Sequence, residues 1–188
     1  MRKELNTAKK IFPMPVLMIA TYNDDGTVDV MNAAWGTMLD AGMVALNISA
    51  GHRTTKNILR RKAFTVSFAD AAHVVEADYF GIASGNSTPD KFKRSGLTAE
   101  KAGAVDAPVI LEFPVCLECE YVTYEDGPYG IGLIGRIVRV TAEESVLTDG
   151  KLDVGKCGAI AFDPFGSGYY KIGERVGNAY SDGRKLLG

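Results

Sequence analysis

Short apolar runs separated by polar turns recur along most of this chain, and their lengths and composition predict strands more often than helices. Residues 15–22 and 28–35 flank Asn23-Asp24-Asp25-Gly26. Asp-Gly between two apolar runs signals a hairpin, because glycine accepts the positive φ that tight hairpin turns need. Residues 43–49 and 64–68 predict two further strands, with the body of a short basic helix, Ile58 to Lys62, between them. His73 to Ala83 reads as a second helix closed by small residues, and Ser84 to Phe92 as a polar loop. Residues 109–124 form one long strand-like run, in which Pro114 marks an edge or a bulge because it cannot donate to a ladder. The chain turns at 125–128 and returns through 131–141, where Gly130, Gly132 and Gly135 suggest bulges or a closely approaching backbone. A last short pair is expected at 158–162 and 169–172. Long hairpins dominate, and repeats and low-complexity linkers are absent. A closed or partly closed antiparallel barrel, mainly β with a few helices, is the natural way to shelter so many strand edges.

Composition narrows the field. At 188 residues the chain is expected to form a single domain large enough for a proper core. Hydrophobic residues at 46% and charged residues at 23% are ordinary for a globular protein. The net charge of -2, from 21 basic and 23 acidic residues, argues against nucleic-acid or anionic-membrane partners, so any basic site must be a local pocket. Met1-Arg2-Lys3 and the apolar residues 11–20 mimic a secretory signal, but Pro13 and Pro15 interrupt the run and Thr21 to Gly26 follows where small residues should. The cytoplasm is therefore the expected location. Three cysteines make no disulfide framework. Cys116 and Cys119 form a C-x-x-C inside a strand-like run, where residues three apart point to opposite faces. That predicts packing rather than redox or metal chemistry, which would need a following helix N-terminus or further ligands.

The junction Gly51-His52-Arg53-Thr54-Thr55-Lys56-Asn57 joins a strand to the basic helix. It offers two hydroxyls, a guanidinium, an ammonium and the partnerless N–H groups of a helix start, a combination suited to an anion. The plainer alternative is an ordinary cap in which Thr54 or Thr55 closes the helix while Arg53 and Lys56 are solvated. His52 borders the junction and is a candidate to help hold a phosphate; His73 is expected at the surface. Asn32-Ala33-Ala34-Trp35 ends the second strand with small residues beside the only tryptophan. Either a flat ring lies against this backbone or Trp35 anchors the barrel. Ser84-Gly85-Asn86-Ser87, with Lys91, supplies more hydroxyls, amides and a second ammonium. If that loop folds toward Arg53 to Asn57, the two would make a phosphate site beside a wall fit for an aromatic ring. No local nucleophile motif or paired carboxylates stand out, and the glycines of 127–132 lie in a hairpin rather than before a crossover helix.

Taken in order, these pieces resemble a known family. They are Pro13-x-Pro15-Val16, Asn32-Ala33-Ala34-Trp35, Ser49-x-x-His52-Arg53-x-Thr55-x-Asn57-Ile58 and Phe64-Thr65-Val66-Ser67. They continue through Ser84-Gly85, Asp90-Lys91-Phe92, Gly96-Leu97, Pro114-Val115-x-Leu117-Glu118-Cys119 and Gly135-Arg136-Ile137-Val138. Over roughly residues 11–172 the chain resembles the flavin reductase-like family, particularly its flavoredoxin branch. The resemblance implies an antiparallel split β-barrel that binds FMN non-covalently, as a homodimer with the flavin near the subunit interface. By position, Arg53, Thr55 and Lys56 would hold the phosphate, with Asn57 nearby. Asn32, Ala33 and Trp35 would line the ring, and Ser84, Gly85, Asn86 and Lys91 would complete the site. Ser49, Ala34, His52 and Thr54 fall within the same segments.

The expected function is that of an FMN-binding oxidoreductase in which the flavin carries the redox chemistry and the protein binds and tunes it. The alternatives are an FMN electron carrier fed by another protein, and a flavin-binding module without turnover. One departure from the family pattern bears on the electron donor. Members that act as NAD(P)H:flavin reductases commonly carry a histidine just before the Gly-Arg strand, whereas residues 127–136 here contain none. A dihydronicotinamide must stack on the flavin to pass hydride, so losing this polar handle disfavours direct reduction. Slow or no oxidation of NADH or NADPH by the FMN-loaded protein is expected, with ready reduction by dithionite. Anaerobic stopped-flow mixing with NADH checks this, and flavin bleaching within milliseconds would refute it.

Overall fold

Seven strands lie in one curled antiparallel sheet: β1 (Leu17–Tyr22), β2 (Val28–Ala33), β3 (Gly36–Asp40), β4 (Met43–Leu46), β5 (Ala63–Phe68), β6 (Val115–Glu125) and β7 (Gly132–Ala142). Their spatial order is β2-β1-β5-β6-β7-β4-β3, so the sheet is a half-barrel with β2 and β3 at its two edges. Helix α1 (Arg53–Arg61) bridges β4 to β5, and α2 (Val74–Ile82) and the short α3 (Lys91–Ser95) follow β5. A smaller sheet joins Met14–Pro15, Ile160–Asp163 and Gly168–Lys171. This computed structural model describes residues 1–4, 11–127 and 130–187. Pro128, the last residue of the expected turn, and Tyr129 after it lie outside the described residues.

The continuous apolar run of β1 has a simple cause: both of its faces are covered. Leu17 and Ile19 point into a core with Leu46, Ile58, Phe64 and Leu133, while Met18 and Ala20 point into a second core with Val30, Phe80, Ile110 and Phe113. The glycines expected to mark close approach do so. A Cβ at Gly135 would overlap the Phe64 ring, and one at Gly132, where φ is +75°, would overlap the Leu46 carbonyl. The β6–β7 register shifts beside Gly135.

Several expectations need correction. The strand at Gly36–Asp40 was not foreseen, because its Gly-Thr-Met-Leu-Asp sequence lacks β-branched density and tertiary pairing with β4 makes it. The long run at 109–124 is two strands, Pro108–Ile110 and β6, with Pro114 between them. Lys91 is not in a loop but opens α3. The cysteines follow the predicted divergence: Cys119 faces the first core with Leu117, and Cys116 faces the opposite side with Glu118. Both are free and buried, and burial pushes their thiols up, to about 11 for Cys116 and about 12 for Cys119.

Three elements are tied together by one buried carboxylate. Asp29 on β2 accepts a hydrogen bond from Thr54 Oγ1 of α1 at 2.5 Å and pairs with Lys91 Nζ of α3 at 3.2 Å. Both charged side chains are almost wholly removed from water. Removing one partner of such a pair strands a charge in the interior, whereas removing both does not. Lys91→Met alone should therefore cost about 3–5 kcal/mol. Asp29→Leu combined with Lys91→Met should be less destabilised than Lys91→Met by itself, as read from urea unfolding midpoints. Strictly additive losses would show that the pair is not coupled.

Candidate functional site

A cleft of about 340 Å³ opens where the end of β2, the start of α1 and the segment after α2 converge. One wall is the backbone and small side chains of Met31 to Ala34, with Trp35 standing 59% exposed at the mouth. Asn47, Ile48, the segment Phe80 to Gly85 and Lys91 line the rest of it, with His52 to Thr54. The wall positions are fixed from behind. Asn32 Nδ2 donates to the Ala77 carbonyl of α2 at 2.9 Å, and the Tyr124 hydroxyl lies 3.1 Å from the Ile48 carbonyl and 3.0 Å from Asp126 Oδ1. Burial first, and then Asp126, pushes that phenol up to about 12, so it stays a protonated strut.

The start of α1 supplies the polar end of the cleft. His52 is its N-cap residue in extended conformation, and its side chain makes no capping bond. The plainer cap expected of Thr54 or Thr55 does not occur, because both lie inside the helix with their side chains turned inward. The first intrahelical bond runs from Lys56 N to His52 O at 3.2 Å, which leaves the N–H groups of Arg53, Thr54 and Thr55 as the unpaired first donors of the helix. No acidic residue sits in that first turn to offset the dipole. The half-buried Arg53 guanidinium makes no hydrogen bond or salt bridge among the described residues.

The loop after α2 folds onto this junction. Asn86 Nδ2 donates to the Gly51 carbonyl at 2.9 Å, and the loop is closed by Thr88 N donating to Ser84 O at 2.8 Å. Gly85 is pressed against the site so closely that a Cβ there would come within 2.5 Å of Asp29 Oδ1 and 3.0 Å of Arg53 Cβ. The two segments that sequence could only pair conditionally are therefore in contact.

Ten of the residues singled out from sequence line the cleft: Asn32, Ala33, Ala34, Trp35, His52, Arg53, Thr54, Ser84, Gly85 and Lys91. Ser49 lines an adjoining surface with Trp35 and His52, and Asn86 ties the loop down rather than facing the cleft. The remaining junction residues are separated by helical periodicity. Lys56 is exposed outside the lining, while Thr55 and Asn57 are fully buried on the inner face of α1. Asn57 Nδ2 donates to Asn23 Oδ1 at 2.9 Å, which fastens the helix to the first hairpin turn. Sequence reasoning missed Asp29, Met31, Asn47, Ile48, Phe80 and Tyr124. Asp29 carried a readable signal, since a lone acid inside an otherwise apolar strand must find a buried partner. The others read as ordinary strand and helix residues. Among the described residues no group of three or more His, Cys, Asp and Glu is gathered to hold a metal ion. No described helix is long and apolar enough to cross a membrane.

Comparison with known proteins gives the family and the fold. The profile described as "Flavin reductase like domain" matches residues 9–155. The flavoredoxin of Desulfovibrio vulgaris (Miyazaki F) is 34% identical, superposes with a TM-score of 0.90, and the match covers 97% of this chain and 100% of that one. A flavoredoxin from Methanosarcina acetivorans is 25% identical with a TM-score of 0.87, covering 99% of each chain. Component B of nitrilotriacetate monooxygenase from Bacillus cereus, 21% identical over 89% of this chain and 88% of its own, shares the fold with a TM-score of 0.75. This split-barrel chain is a flavin-binding oxidoreductase-type protein that belongs to the flavin reductase-like family, in its flavoredoxin branch.

Proposed function

We propose that the cleft binds FMN non-covalently and that the protein passes electrons through it. The observation that carries this reading is the Arg53 guanidinium, which makes no hydrogen bond or salt bridge among the described residues, beside the open N–H groups at the start of α1, at one end of a cleft with a small-residue wall. The donor set suits a phosphate: a cation and a helix start with no acidic residue in its first turn are complementary to a dianion. Gly85 fits the same purpose, because a side chain there would collide with Arg53 and Asp29 and close the polar end of the cleft. The wall from Asn32 to Trp35 suits the ring, since alanines let a planar group approach the backbone.

When bound, the flavin would supply the hydride and single-electron chemistry. The protein's own residues bind, orient and shield. Arg53 and the α1 N–H groups would fix the phosphate, and Ser84 would add a hydroxyl on the same side. Trp35 would cover the mouth. Lys91 is held by Asp29, so its charge is largely spent on structure and only weakly available to a ligand. The carrier reading, with electrons delivered by another protein, is favoured over direct NAD(P)H use by the segment ahead of Gly135, which has no histidine. A homodimer fits the reading as well: Trp35 at the cleft and Met38 and Leu39 on the neighbouring edge strand are exposed apolar side chains, which a second copy would remove from water.

Purified protein is expected to be yellow, or to bind added FMN more tightly than riboflavin. Arg53→Ala should weaken FMN binding by about 1.5–3 kcal/mol, the worth of a charge-assisted hydrogen bond, and leave riboflavin affinity unchanged. Fluorescence titration with both flavins measures this, and equal affinities in the parent protein would remove the phosphate assignment. Light scattering at micromolar concentration is expected to give twice the monomer mass. A monomer that retains FMN would contradict the dimer.

A further inference from the structure

After Ile172, whose N–H donates to the Ala159 carbonyl at 2.8 Å, the chain leaves the body of the protein. Residues 173–187 form an arm in which every residue is exposed. The arm nevertheless has a definite shape: an extended stretch, a turn and a 3₁₀ helix at Asp182–Leu186. Among the described residues all of its hydrogen bonds close on itself, including Arg175 Nε to the Gly177 carbonyl at 3.1 Å and Asn178 N to Asp182 Oδ2 at 2.8 Å. Val176, Tyr180, Leu186 and Leu187 stand almost wholly in water. Among the described residues no hydrogen bond or ion pair fastens this arm to the body of its own protomer. Four large apolar side chains on a shaped but undocked arm indicate a surface outside the protomer.

The body offers a matching surface. Strand β3 is an edge of the main sheet, paired on one side with β4 and open on the other. It is flanked by exposed apolar side chains, Trp35, Met38 and Leu39. A bare, apolar strand edge is a template for another chain, and an extended segment is the form of backbone it accepts. Charge also matches: Arg184 and Lys185 precede Leu186 and Leu187 on the arm, while Asp40, Glu125 and Asp126 are exposed near this strip, the last two in a surface that includes Trp35.

We propose that the arm 173–187 docks in trans on a second copy of the chain, its extended stretch along the free edge of β3 and the leucines at the end of its 3₁₀ helix against Met38 and Leu39. This extends the homodimer reading of the previous subsection, which a dimer without arm exchange would satisfy equally well.

The test is a mixed cross-link in the full-length protein. One chain carries Leu187→Cys and a second, differently tagged chain carries Met38→Cys; both positions are exposed, and the three native cysteines are buried. After mixing and treatment with a short bismaleimide, a covalent species carrying both tags is expected, and it should be absent when either variant is mixed with the parent chain. A chain carrying both substitutions that links only within itself, or no link at all, would overturn the proposal. Arg184→Glu with Lys185→Glu should reduce the mixed link at least tenfold, and Glu125→Lys with Asp126→Lys on the partner should restore it. An undiminished link in the charge-reversed arm would overturn the assigned surface. Light scattering separates the two readings: a dimer that yields no mixed link overturns the arm exchange alone, whereas a monomer overturns both.

Discussion

The Asp29 carboxylate is the contact on which the cleft depends. It sits inside β2, and its two oxygens are claimed by Thr54 of α1 and Lys91 of α3. A charge so fully removed from water is tolerated only when paired and hydrogen-bonded, so the elements that bring those partners cannot drift apart cheaply. Gly85 lies against the same carboxylate, which carries the constraint on to the loop that closes the polar end. Strand, helix and loop are thus held at fixed distances by one side chain, and the cleft is the space left between them.

Around that anchor the polar and apolar ends of the site arise from different causes. The polar end belongs to a helix whose N-terminal donors are left open, since His52 offers no capping bond and the threonines that might have done so are turned inward. The outer end of the same helix is stitched to the first hairpin by Asn57 to Asn23, and by Arg60 to Asp24 at 2.7 Å, which aims its open end into the cleft. The apolar end is the finish of β2, where two alanines leave the backbone accessible and the chain then bends into an edge strand. A rigid half-barrel therefore presents a site made mostly of backbone and small residues. This suits a protein whose bound group brings the chemistry and whose own task is placement.

The same architecture explains why the surface beside the cleft is apolar. A half-barrel has two edges. One, β2, is covered from within by α2 through Asn32 and Ala77, while β3 is left bare and carries Met38 and Leu39 into solvent. Exposed strand edges are usually blunted by charge or by a covering segment. Here Asp40, Glu125 and Asp126 are exposed nearby, and the chain's own arm carries Arg184 and Lys185 next to two exposed leucines.

Much of this was legible in the residues. The Asp-Gly hairpin, the period of the strands, the glycines of β7 and the diverging cysteines each follow from a local rule that depends on few neighbours. The order of short motifs was enough to identify the family. What sequence could not settle was set by contacts distant along the chain. Gly36–Asp40 is a strand because β4 lies beside it, and Pro114 divides one apparent run into two because a ladder bond is missing there. The junction at Gly51 to Asn57 was recognisable as a polar helix start, but the helix phase decided which of its side chains reach the cleft. That phase follows from the burial of Thr55, Asn57 and Ile58 against the sheet. Residue types and turn signals determined the elements and the chemistry on offer; packing across long sequence separations decided which groups meet, because a cleft is defined by distances that no local pattern encodes.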